Sequence, residues 1–271
     1  MPKISVIIST YNQPEWLRKV FFGYEFQTFK DFEIIIADDG STDETKDLIV
    51  DFSKTSEINI THIWQDDEGF QKTKILNKAI LKTKADYLLF TDGDCIPRQD
   101  FVETHYNLKR QNCFLSGGYF KLPELISKAI TIEDIKNQNC FNKDWLLSKG
   151  LKSSFKLNKL TVSGFKECLL NTFTPTKATW DGMNASGWKA DILKVNGFDE
   201  RMQYGGEDRE LGERLMNLGI KPLQIRYSAI CVHLFHTRGY KNAAAEKANL
   251  FIRKETKSEK RVWTKYGILK A

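Results

Sequence analysis

The order of apolar and polar positions divides the first half of the chain into alternating strands and helices. Residues 3–10 (KISVIIST) are β-branched and apolar, the pattern of a strand covered on both faces. Pro14 stands where a first helical turn begins, and Trp16, Val20, Phe21 and Tyr24 share one helical face. Residues 33–37 predict a second buried strand; Ser41 and Glu44 have the spacing of a capping box that opens a helix through Leu48 and Phe52. A third strand is expected at residues 60–65. Ile75, Leu76, Ala79 and Ile80 mark an amphipathic helix, and residues 86–91 a fourth strand ending at Asp92-Gly93-Asp94. Repeated units of this kind imply an α/β fold with a mostly parallel sheet flanked by helices. Ligands of such sheets collect at the carboxyl ends of strands, where Asp38, Asp39, Asp92 and Asp94 all fall.

The pattern breaks after Tyr119. Residues 122–174 read as helical or irregular and carry Lys136, Lys143, Lys149, Lys152, Lys156, Lys159 and Lys166 against few acids. These lysines interleave with Trp145, Leu146, Leu147, Leu151, Phe155, Leu157 and Leu160. That make-up suits a basic interfacial helix at a membrane, or a lid whose apolar face packs on the domain. Beyond Trp180 a short helix is expected at residues 189–195, then Tyr204-Gly205-Gly206 and a helix through Leu211 and Leu215 stopped by Gly219. Residues 221–233 read as one strand and 243–266 as a charged helix. No repeat or linker interrupts the chain, so one domain with a helical insert is expected.

Composition narrows this picture modestly. A length of 271 residues, 41% hydrophobic and 28% charged, suits one soluble α/β domain that needs no disulfides. The cysteines number five, are scattered and form no C-x-x-C, which predicts reduced thiols and a cytoplasmic protein. The opening apolar run is too short for a signal peptide or a membrane span. A net charge of +6 suits an anionic partner, whether nucleotide diphosphate, membrane surface or nucleic acid, and does not choose among them.

Three constellations could carry chemistry. Asp92-Gly93-Asp94 follows a buried strand: its carboxylates could hold a hard divalent cation while the glycine lets a phosphate approach. A plain surface turn explains the spacing equally well, until the neighbouring Asp38-Asp39-Gly40 is considered. Four carboxylates on one sheet edge repel one another unless a cation or ligand compensates. Asp39 could accept a hydrogen bond from a nucleobase imide and Tyr11 could stack on the base, although a helix cap and a packed aromatic are the plain alternatives. In Tyr204-Gly205-Gly206-Glu207-Asp208 the acids sit at a helix start, where acids are common anyway, yet one could serve as a general base. His233 and His236 end the last expected strand and could complete a metal site. H-E-x-x-H, G-x-S-x-G, G-x-x-x-x-G-K-[ST] and G-x-G-x-x-G are all absent, which removes the usual zinc-protease, serine-hydrolase, P-loop and dinucleotide readings.

Taken in order, Val6 to Asn12, Asp38-Asp39-Gly40-Ser41-Thr42-Asp43 and Thr91-Asp92-Gly93-Asp94 resemble the family 2 glycosyltransferases. Asn184-Ala185-Ser186-Gly187-Trp188, Asn196-Gly197-Phe198-Asp199-Glu200 and Gly205-Gly206-Glu207-Asp208 are similar to the carboxyl-terminal region of β-1,4-galactosyltransferases. The likeness covers residues 3–119 and 180–238. It implies a GT-A (nucleotide-diphospho-sugar transferase) fold divided into a nucleotide-sugar half (1–119), a helical basic insert (120–179), an acceptor and catalytic half (180–238) and a helical tail (239–271). It implies that Thr10, Tyr11 and Asp39 hold a uracil nucleotide and that Asp92 and Gly93 contact the ribose or metal. Asp94 would bind Mn²⁺ or Mg²⁺ with His236, which fits the family better than His233. Asp208 would be the catalytic base and Glu207 an acceptor or structural partner. Two departures bear on the acceptor: Arg209 stands where further acids are expected, and Tyr204 replaces a tryptophan.

The expected activity is inverting, metal-dependent transfer from a UDP-sugar to a glycan or lipid-linked acceptor, in bacterial surface polysaccharide synthesis. The protein would work in the cytoplasm, with peripheral membrane contact as an option and no nucleic-acid partner. The rivals are a sugar nucleotidyltransferase, which would open on a glycine-rich loop absent here, and a non-catalytic module binding glycans or polyanions. A pure polyanion binder gains nothing from carboxylates in its cleft.

Overall fold

A computed structural model of the chain describes residues 1–237, 239 and 242–270. The first half folds as β1 (Ile4–Thr10), α1 (Pro14–Glu25), β2 (Phe32–Asp38), α2 (Asp43–Thr55), β3 (Asn59–Trp64), α3 (Lys72–Lys82) and β4 (Tyr87–Asp92). Then come β5 (Cys95–Pro97), α4 (Phe101–Leu108), β6 (Cys113–Ser116) and β7 (Gly118–Lys121). The insert holds α5 (Glu124–Ala129), α6 (Ile132–Lys136), α7 (Lys143–Ser148), α8 (Asn158–Thr161) and α9 (Gly164–Phe173). The rest is β8 (Ala185–Trp188), α10 (Lys189–Lys194), α11 (Glu207–Asn217), β9 (Lys221–Gln224), β10 (Ile230–His233) and α12 (Ala243–Ser258).

Among the described residues the strands form a seven-stranded sheet, β3-β2-β1-β4-β8-β6-β9, and a three-stranded sheet, β5-β10-β7. Strands β1 to β4 run parallel, and β8 runs antiparallel to β4 and β6. Every residue of β1 and β2 is buried because both faces of the large sheet are covered. Val6, Ile8, Ile34 and Ile36 meet Leu17, Val20 and Phe21 of α1 and Phe52 of α2 on one face. Ile7, Ile35, Leu88 and Phe90 meet Ile75, Leu76 and Ala79 of α3 and Leu211 and Leu215 of α11 on the other. This two-sided core holds the carboxyl ends of β1, β2 and β4 in fixed register.

The structure corrects several local expectations. No capping box opens α2: its N-cap is Thr42, without a side-chain cap, because Ser41 Oγ accepts the Asn12 amide at 2.9 Å. Asn12 in turn accepts the Thr42 amide at 2.9 Å, so these contacts tie the end of β1 to the start of α2. Residues 221–233 form two strands in different sheets, split by a turn at 225–229 in which Ser228 and Ala229 both donate to Ile225 O. The last helix stops at Ser258; the chain then returns so that Asn196 bonds Thr264 O at 2.7 Å and the Leu269 amide at 2.8 Å.

The insert is helical but not one helix. Leu146, Leu157 and Leu160 enter the main core, which breaks the apolar run into short pieces fitted to the sheet. Phe155 stays exposed, and on α9 Phe165 and Phe173 are 83% and 75% exposed with Leu169 half-exposed between them. No described helix is long and apolar enough to cross a membrane.

Candidate active site

One cleft of about 860 Å³ opens where β1, β2 and β4 end, and all ten residues singled out above line it: Thr10, Tyr11, Asp39, Asp92, Gly93, Asp94, Glu207, Asp208, His233 and His236. Asp38 does not join them. Its Oδ1 accepts the Ser41 amide at 2.9 Å and its Oδ2 meets His62 Nε2 at 2.9 Å, so this fully buried carboxylate braces the turn. The expected convergence of four strand-end acids is therefore one of three, Asp39, Asp92 and Asp94.

At one end of the cleft, the Asp39 Oδ1 accepts the Gln65 amide at 2.6 Å and its Oδ2 the Gln71 backbone amide at 2.8 Å. Burial pushes its pKa up to about 6 despite those hydrogen bonds. The Tyr11 hydroxyl donates to Asp67 Oδ2 at 2.8 Å, which steadies a ring left 45% exposed and able to stack. Thr10 Oγ1 is buried and has no partner among the described residues. Gly93 donates to Ser9 O at 2.7 Å, and a Cβ there would press on Ser9 O and Thr10 Oγ1 at 3.1 Å. The glycine thus lets the turn after β4 lie against β1.

The middle of the cleft holds Asp94. Antiparallel pairing of β10 with β5 sets His233 opposite Cys95, and Leu234 donates to Asp94 O at 2.8 Å. Asp94 Oδ2 then lies 3.0 Å from His236 Nε2 and 3.8 Å from His233 Nε2. His233 Nδ1 meets Leu234 O at 2.7 Å and His236 Nδ1 meets Thr237 O at 3.1 Å. A carbonyl only accepts, so each Nδ1 carries the hydrogen and each Nε2 of a neutral ring presents a lone pair toward the carboxylate. Such a trio needs a proton or a cation between its members, and its donor set fits a divalent ion. Burial opposes ionisation of Asp94, but when His236 Nε2 carries that proton its hydrogen bond and the fields of both histidines outweigh burial and hold the carboxyl below its usual range. Cys95 donates its thiol to Asp94 Oδ1 at 3.3 Å, and burial pushes that thiol far up, so it is a poor thiolate ligand. Of the His236-Thr237-Arg238 stretch, Arg238 lies outside the described residues.

The far side gathers acids around one lysine. Lys72 Nζ, in the first turn of α3, lies 2.6 Å from Asp92 Oδ1, which also accepts Ser9 Oγ at 2.6 Å. Burial alone would depress Lys72, yet Asp92, Glu207 and Asp208 together hold it above its ordinary range. Gly205 and Gly206 take φ of +114° and +92°, a left-handed backbone that glycine adopts without strain. That turn lets Glu207 Oε2 fold back onto the Gly205 amide at 2.9 Å. Burial, then the charge of Asp208, raises Glu207 to about 7. Asp208 is more open: its Oδ2 accepts the Gly182 amide at 3.0 Å and its Oδ1 the Arg209 amide at 2.7 Å. Asp181 lies beside it, raised to about 7 by burial and by the charges of Asp208 and Asp92.

Lys72 and Asp181 were not among the residues picked out in the sequence. A signal for Lys72 was present, since a lysine in a first helical turn without acids opposes the helix dipole and so asks for an anionic partner. Asp181 carried only the D-G dipeptide before Met183, which reads as a turn.

A mostly parallel α/β sheet covered by helices on both faces gives this chain the GT-A fold. Mannosyltransferase PcManGT from Pyrobaculum calidifontis, solved with GDP-Man and Mn²⁺, superposes with a TM-score of 0.60 at 17% identity, over 88% of this chain and 59% of that one. Residues 1–349 of TarS from S. aureus, solved with UDP-GlcNAc, give 0.60 at 15% identity, over 88% and 60%. Residues 5–121 match the model of glycosyl transferase family 2. Residues 176–238 match a second model, described as the N-terminal domain of galactosyltransferase. Validoxylamine A glucosyltransferase of Streptomyces hygroscopicus subsp. jinggangensis is 27% identical over 254 residues, which is 88% of this chain and 57% of that protein. The chain thus spans little more than half the length of that relative.

Proposed function

We propose that this chain transfers a sugar from a UDP-sugar to a glycan or lipid-linked acceptor with inversion, in the building of a bacterial surface polysaccharide. The observation that carries this reading is the meeting of a cation trio (Asp94, His233, His236) and an open carboxylate, Asp208, in one cleft. The GDP-Man and Mn²⁺ of one structural neighbour and the UDP-GlcNAc of another support a nucleotide-sugar donor. Tyr11 stacks on the base while Asp39 accepts from its imide; Thr10, whose hydroxyl has no partner among the described residues, and Asp92 and Gly93 border the ribose and phosphates. Asp94, His236 and His233 would hold the cation, which would supply charge neutralisation of the leaving diphosphate. Two imidazoles favour Mn²⁺ over Mg²⁺, which prefers oxygen ligands. Asp208 takes the acceptor hydroxyl's proton, and its backbone hydrogen bonds aim the carboxylate. Glu207, turned back on Gly205, shapes the loop.

The same reading divides the chain as 1–119 for the donor, 120–179 as the insert, 180–238 for acceptor and catalysis, and 239–271 as the tail. Phe165, Leu169 and Phe173 follow an i, i+4, i+8 stripe on the outer face of α9, near Lys166 and Lys177, and support peripheral contact with an anionic membrane from the cytoplasmic side.

Calorimetric titration with UDP, GDP and dTDP, each with and without Mn²⁺, tests the donor site. UDP binding that requires Mn²⁺ supports it. Preference for GDP or dTDP overturns the uracil assignment, and no nucleotide binding overturns the transferase reading.

A further inference from the structure

The end of the cleft opposite Tyr11 and Asp39 is basic, and neither the donor nor the cation uses its charges. Tyr119, on β7 of the three-stranded sheet, and Arg209, in the first turn of α11, line the cleft together with Asp181. Arg209 is exposed, and Arg226 lies in the turn between β9 and β10. The fields of Asp181, Arg209 and Arg226 all reach the Tyr119 hydroxyl. Lys159, from the insert, donates to Tyr119 O at 2.9 Å and lies over the Tyr119 ring at 5.2 Å from its centroid. Neither arginine nor Lys159 forms an ion pair with a carboxylate among the described residues, and Arg226 Nε is buried without a hydrogen-bond partner. Burial, then the charge of Arg226, lowers Lys159 to about 8, and the opposing field of Asp181 does not make up the difference.

This cluster is held in place. Asn171 of α9 donates to Ser228 Oγ at 2.8 Å and accepts the Tyr227 amide at 2.9 Å, so the insert clamps the turn that carries Arg226. Gly118 permits the close approach: a Cβ there would lie 2.0 Å from Arg226 O. These three cations gather beside Tyr119, which lines the cleft, and Asp181, itself raised to about 7, answers them only in part. Arg209 also stands where the galactosyltransferase-like pattern expects an acid, which would suit a neutral sugar's hydroxyls. An arginine there reverses the preferred charge.

We propose that Arg209, Arg226 and Lys159 form a subsite for an oxyanion on the acceptor, a carboxylate or phosphate, with the acceptor sugar packed on Tyr119. The proposal rests on the transferase reading of the cleft and deepens it: the acceptor is an acidic glycan or a sugar phosphate rather than a neutral sugar.

The test uses the whole chain and three probes: methyl glucoside (neutral), methyl glucuronide (carboxylate) and glucose 6-phosphate (phosphate). Each is titrated by ligand-observed NMR with and without UDP. The charged probes should bind about tenfold more tightly than the neutral one, the scale of a hydrogen-bonded ion pair. Which charged probe binds better distinguishes uronate from phosphate acceptors. Arg209→Gln, at an exposed position that does not threaten folding, should remove most of that preference, and Arg226→Gln should do the same. Equal binding of all three probes, or a preference that survives both substitutions, overturns the subsite. UDP titrated alone into the unaltered protein reports the donor site separately, so failure of the donor reading and failure of the subsite give different results.

Discussion

Replacing Glu207 with glutamine should make the metal-free protein more stable at pH 8, although it removes a charged group from the cleft. Glu207 is 7% exposed and carries its pKa up from 4.5 to about 7, chiefly through burial and secondarily through Asp208. A group raised on folding binds its proton more tightly in the folded chain. Its stabilisation is complete below the unfolded value of 4.5 and is lost as pH climbs through about 7. At about 1.36 kcal/mol per pH unit, the whole rise is worth about 3 kcal/mol, most of it falling between pH 5 and pH 8. Glutamine keeps the shape, can still accept the Gly205 amide, and cannot ionise. Other groups also titrate across this window: Asp181 is raised to about 7 and Asp39 to about 6, while burial lowers His105 to about 4. Those contributions are shared by both proteins and cancel in the comparison. The assay is urea denaturation in EDTA at pH 5 and pH 8 for both proteins. Glu207→Gln should gain about 2 to 3 kcal/mol relative to the parent on going from pH 5 to pH 8. A difference that does not change with pH would refute the claim that Glu207 is held in a strained, desolvated state.

Asp94→Ala should abolish Mn²⁺-dependent UDP binding, and wild-type affinity measured by calorimetry in Mn²⁺ would remove Asp94 from the cation trio. Asp208→Asn should lower turnover by about 10²–10⁴-fold with little change in UDP affinity; near-normal turnover would move the base to Glu207 or Asp181. Lys72→Met removes the partner of a pair only about one-fifth exposed and should cost about 2–3 kcal/mol of stability, seen as a lower urea midpoint that recovers at acid pH as the surrounding carboxyls protonate. Phe165→Ser with Phe173→Ser should release the protein from anionic vesicles in a flotation assay; absence of salt-sensitive binding by the unaltered protein would eliminate the membrane contact.

Much of this protein was legible in residue order. Strands β1, β2 and β4 announce themselves because a strand covered on both faces must be apolar throughout, and helices α1, α3 and α11 because burial on one face imposes a 3.6-residue period. The acids of the site follow directly, since a parallel sheet puts every residue just past a strand on the same edge. Short strands left no such trace. Cys95–Pro97 and Ile230–His233 are three and four residues long and exist only through pairing across more than a hundred residues, with each other and, for the second, with Gly118–Lys121. That pairing, and not the spacing of His233 and His236, is what brings both imidazoles to Asp94.

Tertiary structure also decided what adjacent residues do. Asp38 and Asp39 are neighbours, yet successive side chains at a strand end point to opposite sides, so one meets His62 and the other lines the cleft. Glu207 and Asp208 diverge because consecutive helical residues project about a hundred degrees apart, and the Gly205 amide captures only the first. Lys72 and Asp181 acquire their roles from carboxylates far away in the chain, and Arg226 from a turn clamped by the insert. Local pattern determines which segments are strands, helices and loops, because burial periodicity is written residue by residue. Which polar group faces which is settled only when the sheets close, because charge and hydrogen bonding act over a few ångströms of space and are indifferent to separation along the chain.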